Sequence, residues 1–148
     1  EKMKNRIEDY KPKELTINLP TATKENVFYP LIDYELKDDI KDSYGKVLYK
    51  KGFVFNPLHY ISLNEKYIFI DYTDKKQREW IKKQEINKDI TAKIIITNGR
   101  VFDAIKEFER EVFYANDILI DKFKLEAVPS IVEQEQDRIK VKQFKLKD

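Results

Sequence analysis

The sequence predicts an α/β fold: one mixed sheet with helices on both faces, preceded by a small N-terminal β-hairpin extension. Three observations carry this. The continuous apolar runs Tyr67-Ile68-Phe69-Ile70 and Ala92-Lys93-Ile94-Ile95-Ile96-Thr97 suit strands buried on both faces. After each run the hydrophobic spacing changes to that of an amphipathic helix. Near the C-terminus two strand patterns are separated only by a short turn, which makes them an antiparallel pair.

In chain order, residues 1–30 read as a polar lead-in. A short helical pattern around residues 3–10 is stopped by Pro12, and residues 15–20 are extended. Residues 31–63 form the small β-hairpin region. Tyr44-Gly45-Lys46 and Lys51-Gly52 are turn signals on either side of Val47-Leu48-Tyr49; Phe53-Val54-Phe55 follows, and Asn56-Pro57 closes the segment.

Residues 64–148 form the main domain. Its first strand ends before Asp74, a helix N-cap with Gln77 three residues on as a capping-box partner; Trp80 and Ile81 supply the buried side of that helix. The second strand ends at Asn98-Gly99. Val101, Ile105, Phe108 and Val112 then fall on one helical stripe, widened by Phe102. A shorter helical stretch is centred on residues 118–123. Val128-Pro129-Ser130-Ile131-Val132 enters the third strand, a turn lies near residues 135–137, and the last strand covers residues 138–141. The order β-α-β-α-α-β-β implies a parallel pair with a right-handed crossover, then a hairpin. The expected core includes Ile68, Ile70, Ile95, Phe108 and Val132.

Composition narrows the function classes. The chain of 148 residues is 41% hydrophobic and 13% aromatic, ample for a globular core. With 29 basic and 27 acidic residues the net charge is +2, which argues against nucleic acid or an anionic membrane as partner. No apolar run has the roughly 20 residues of a membrane span. Cysteine is absent, so disulfides, thiol nucleophiles and thiolate metal ligands are excluded. The single histidine, His59, cannot build a His-based zinc site within one chain. No catalytic, cofactor-binding or metal residue is expected.

Asp121-Lys122-Phe123-Lys124-Leu125-Glu126-Ala127-Val128-Pro129 resembles the approach to the cis-proline of thioredoxin-like proteins. A narrower resemblance lies upstream. Asp39-Ile40-Lys41-Asp42, Gly45-Lys46-Val47-Leu48, Lys51-Gly52 and Asn56-Pro57-Leu58, ahead of Phe69-Ile70-Asp71, Gln77 and Trp80, are similar to the TraW family. Leu19-Pro20 before Phe28 also fits, and the likeness covers roughly residues 19 to 144. His59 departs from the family pattern, which has an acidic residue after N-P-L.

The resemblance implies a cysteine-free thioredoxin-like protein of F-type conjugative type IV secretion. It implies export to the periplasm with the leader absent from this chain, and work in pilus assembly beside TrbC-like and TraU-like proteins. The expected role is non-catalytic protein–protein recognition; the alternative is a redox-inactive chaperone that holds extended peptides. The expected interaction surface comprises Tyr72, Val128 and Pro129 at the proline loop, and the hairpin zone around residues 39–58, with Asn56, Pro57 and Leu58 as its named candidates. The Val128–Pro129 bond is expected to be cis, with the Val128 backbone open to a partner. Tyr60 and Tyr114 are further aromatic candidates. Acid pairs such as Asp38-Asp39 and Asp71 with Asp74 read as solvated or capping carboxylates, since no Ca²⁺-loop spacing surrounds them. The lysines of the tail read as protection for an edge strand.

Overall fold

The computed structural model describes residues 17–147; the helix expected at residues 3–10 lies outside the described residues. Ten strands and three α-helices follow: β1 Asn26–Phe28, β2 Tyr34–Glu35, β3 Ile40–Lys41, β4 Val47–Tyr49, β5 Val54–Phe55, β6 Lys66–Asp71, α1 Lys75–Lys83, β7 Ala92–Asn98, α2 Val101–Phe108, β8 Val112–Tyr114, α3 Asp117–Phe123, β9 Ser130–Glu135 and β10 Arg138–Gln143. A six-stranded mixed sheet has the order β1-β10-β9-β6-β7-β8. β6, β7 and β8 are parallel; β9, β10 and β1 add antiparallel on the other side.

Strand period divides the core into two layers. Ile68 and Ile70 of β6 and Ile94 and Ile96 of β7 face α1 and α2, where Ile81, Ala104 and Phe108 close the layer. Phe69 and Ile95, one residue out of phase, face the opposite side with Val132, Ile139 and Val141. Phe123 of α3 covers them, helped by half-buried Ile17, Leu19, Phe28, Ile32 and Leu58. All five expected core residues are 3% exposed or less, as continuous apolar strands require.

Three expectations change. The helix expected to reach Val112 stops at Phe108: Glu109 turns left-handed at φ 54°, and Val112–Tyr114 becomes β8, parallel to β7. Val112-Phe113-Tyr114 is a β-branched and aromatic run that pairs better than it coils. The tail strand is not an edge, because β1 pairs along β10. The Tyr29 hydroxyl donates to Glu135, and the Arg138 guanidinium lies 3.8 Å from the Tyr29 ring centroid, fastening that junction. The sheet therefore takes a strand from residues 1–30, across the boundary drawn at residue 30.

The third change concerns residues 31–63. Val47–Tyr49 does not pair with the strand after Gly52. Instead β3 pairs with β4 and, further out, β2 pairs with β5, giving one nested antiparallel arm. Its tip is Asp42–Lys46: the Asp42 carboxylate accepts from the Tyr44 and Lys46 amides, and Gly45 supplies φ +84°. Gly52, at φ +92°, sits in the returning half, where its N–H donates to the Leu36 carbonyl. The two glycine signals are thus a tip and a kink.

Ile68→Ala should cost about 2–5 kcal/mol in urea unfolding, because it removes a side chain that is 1% exposed. Ile90→Ala, at a position 96% exposed, should shift stability by less than about 0.5 kcal/mol. Equal effects would mean that the two layers do not hold the fold.

Candidate interaction surface

The arm gathers aromatic side chains because its strands carry them at alternate positions on facing segments. Phe55 lies at the centre. Its ring centroid is 5.8 Å from Tyr34, 5.8 Å from Phe53 and 5.5 Å from Tyr60, and Phe53 is 5.2 Å from Tyr49. With Leu36 and Ile40, four of these rings line an almost wholly apolar hollow of about 210 Å³. Tyr34, Ile40, Tyr49 and Tyr60 remain 44–64% exposed, so the rings are stacked on one another and open to solvent.

Asn56, Pro57 and Leu58 form the root of this arm. The Asn56 side chain caps a single 3-10 turn, Pro57–His59, by accepting from the Leu58 amide. Its Nδ2 donates to the Asp137 carbonyl in the β9–β10 turn, and Leu58 packs into the second core layer. His59 Nε2 lies 3.4 Å from the Asp137 carboxylate, both exposed. Asn56 and Leu58 thereby tie the arm to the sheet, and His59 stays exposed.

The proline loop lies at the entrance to β9. The Val128–Pro129 bond is cis. Val128 is fully buried, and its backbone is not open: its N–H donates to the Pro20 carbonyl at 3.0 Å, and its carbonyl accepts from the Ala22 N–H at 2.8 Å. The expectation of a vacant Val128 backbone is therefore corrected, because the chain's own residues 20–22 run alongside and take both groups.

Tyr72 is likewise held in place. It follows β6, where Asp71 and Asp74 shape the start of α1. Asp74 accepts from the Lys76 amide, and buried Gln77 accepts from the Asp71 amide while donating to Asp74. The Tyr72 hydroxyl donates to Glu107 at 3.0 Å, its ring meets Phe108 edge-on, and Arg78 lies over its face while donating to its carbonyl. A side chain on Gly99 would come within 3.0 Å of the Tyr72 ring. Burial first, then the hydrogen bond and charge of Glu107, push the Tyr72 hydroxyl up to about 12, against the opposing charge of Arg78. Burial pushes Glu107 upward, but hydrogen bonds from Lys82 and Tyr72 and the charges of Lys82 and Arg78 hold it below the usual carboxylate range.

The sequence is 32% identical over 98 residues to Protein TraW of Escherichia coli (strain K12), a match spanning 66% of this chain. Over that stretch the chain is similar to TraW. It spans about half the length of that relative, 46%. No family model and no solved structure matches it. Among the described residues, no helix is long and apolar enough to cross a membrane, and no group of three or more His, Asp or Glu is placed to hold a metal.

Two separate places thus emerge in this TraW relative. Asn56, Pro57 and Leu58 belong to the arm root; Tyr72, Val128 and Pro129 lie by the first helix and the proline loop. The open aromatic hollow falls largely within the hairpin zone around residues 39–58 that the sequence offers as a surface, but of its rings the sequence reading names only Tyr60. Its signal was present: Tyr34, Tyr49, Phe53, Phe55 and Tyr60 crowd a stretch with little core to build.

Ultraviolet titration of the tyrosines should show a step near pH 12 that Tyr72→Phe removes. The raised value means that the neutral form is favoured on folding. Its contribution to stability is complete below about pH 10 and is lost as pH rises toward 12. If the step that Tyr72→Phe removes lies near pH 10 instead, Tyr72 is neither buried nor bonded to Glu107 in solution.

Proposed function

We propose that this chain is a non-catalytic assembly subunit of an F-type conjugative type IV secretion system, acting in the periplasm in pilus assembly by binding TrbC-like and TraU-like proteins. Similarity to TraW supports the conjugative setting. The observation that carries a binding role is the aromatic hollow on the arm. Rings that stay exposed around a small apolar socket, on strands that add no side chain to either core layer, are what a protein–protein anchor requires.

The order and direction of β6, α1, β7, α2, β9 and β10 support reading the body as thioredoxin-like. In that reading Tyr72–Gln77 stands where redox members carry their thiols. A chain without cysteine cannot exchange disulfides there. The purified protein should give no more insulin reduction than buffer, and turnover above that level would overturn the non-redox reading.

Pull-down with purified TrbC-like and TraU-like proteins tests the binding role. Tyr49→Ala and Tyr60→Ala together should weaken capture by about thirtyfold or more, as loss of an interface anchor does. The melting temperature should barely move, because both rings lie outside the sheet core, and protection of the Gly52 and Asp42 amides, bonded within the arm, should show whether the arm keeps its shape. Unchanged capture by the double variant, or indiscriminate capture of unfolded clients, would sink the reading.

A further inference from the structure

The second core layer is closed unevenly. A groove of about 270 Å³ runs over it between α3 and the chain that leaves the arm. Leu58 and Leu63 bound one side, Leu119 and Phe123 of α3 the other, and Tyr67 and Ile139 of the sheet form the floor. Apolar side chains around it face water: Ile61 is 72% exposed, Ile118 of α3 78%, and Leu31, next to Ile32 at the groove, 85%. Apolar surface gathered in this way marks a place that something covers. The first layer shows the contrast, since α1 and α2 close it from end to end.

The chain itself holds a segment of the right kind. Ile17 opens the extended strap of residues 17–22, which Pro20 and Ala22 fasten to Val128, and it packs on the second layer. Residues 1–16 therefore join the structure on the face that carries the groove. Ile17 lies beside Asp71, at the far end of β6 from Tyr67 on the groove floor. Four strand residues separate the two, about 13 Å. Residues 11–16 reach about 20 Å when extended, enough to cross that gap. Ahead of them Met3, Ile7 and Tyr10 fall at i, i+4 and i+7, one helical stripe that Pro12 ends. Eight residues in a helix measure about 12 Å, close to the seven of α3. So short a helix does not hold in water alone and needs an apolar surface to lie on.

We propose that the groove beside α3 is the docking site of the chain's own residues 3–10, which seat there as an amphipathic helix with Met3, Ile7 and Tyr10 turned inward. The segment gives the second layer the additional helix that the first layer already has. It also closes the groove to outside partners, so that the hollow on the arm is the apolar face left for them. This inference rests neither on the conjugative reading nor on binding by the arm.

The test uses the full chain, whose lack of cysteine makes an introduced pair the only thiols present. Ile7→Cys is combined with Ile61→Cys at the groove, or with Lys83→Cys, an exposed position of α1 on the opposite face of the sheet. A short bismaleimide should link the Ile7–Ile61 pair within one chain at least about tenfold faster than the Ile7–Lys83 pair, because docking raises the local concentration at the groove alone. A second variant needs no thiol. Ile7→Asp should lower the melting temperature by about 5 °C and raise the fluorescence of the apolar dye ANS, while the Ile68 and Ile94 amides stay protected from hydrogen exchange. Equal linking rates at the two positions overturn the proposal, and so does an unchanged melting temperature in Ile7→Asp. Links formed between chains, with a dimer in light scattering, would assign the groove to a second copy and overturn it too.

Discussion

Burial of β6 on both faces is the constraint from which the remaining architecture follows. Ile68 and Ile70 point one way and Phe69 the other, and each is almost completely removed from water. A strand of this kind needs a neighbour on each edge and a layer on each face, since unpaired backbone groups in an apolar interior are costly. β7 and β9 fill the edges. The first face is closed by α1 and α2, which the βαβ crossover delivers automatically. Among the described residues, the second face has only the seven residues of α3 from the helical part of the chain. It is completed by single side chains from the strap, β1, the β1–β2 connection and the arm root. Elements that look peripheral in chain order are therefore structural: without Phe28, Ile32 and Leu58 the sheet would lie half-uncovered.

That division explains what was legible in the sequence. Strands β6 and β7 announce themselves by four and three consecutive bulky apolar residues, and the start of α1 by Asp74 and Gln77. The end of α2 does not. Helices commonly stop at a glycine in the left-handed region, but this chain has three glycines. Glu109 and Lys124 take that conformation instead, at φ 54° each, ending α2 and α3. A non-glycine residue there costs about 1–2 kcal/mol, which the core layers on either side must offset. A stop signal written in glutamate and lysine has no distinctive letter, so the stripe from Val101 appeared to run on to Val112.

The candidate site was legible in a different measure. Pro129 and the Asn56-Pro57-Leu58 root could be located because proline and asparagine have narrow backbone uses. What fills the space beside Val128 could not, since Pro20-Thr21-Ala22 carries no pattern of its own. It is a short polar stretch whose position is set by two main-chain bonds, and main-chain bonds leave no side-chain signature. Pairing between β1 and β10 escaped for the same reason. Three residues of β1 meet a strand more than a hundred positions away, and a few side-chain contacts, those of Tyr29 with Glu135 and Arg138 and of Gln143 with the Lys24 carbonyl among them, mark the meeting.

The arm carries the last step of the argument. Two-stranded ladders this short are marginal in water, yet the arm has β2–β5 and β3–β4 and little more main-chain pairing. Its cohesion comes from the rings. Tyr34, Phe53 and Tyr60 all meet Phe55, and Tyr49 extends the stack through Phe53. Pairs of this geometry contribute about 0.5–1.5 kcal/mol each beyond area burial. The rings that keep the arm shaped are thus the rings it exposes. Replacing them with polar residues for solubility would dissolve the arm, so a soluble arm without an apolar face is not an available solution. Anchorage at Asn56 and Leu58 fixes where that face points relative to the sheet. A preorganised aromatic face on a fixed root loses little freedom on binding, which is the physical reason to look for the partner there.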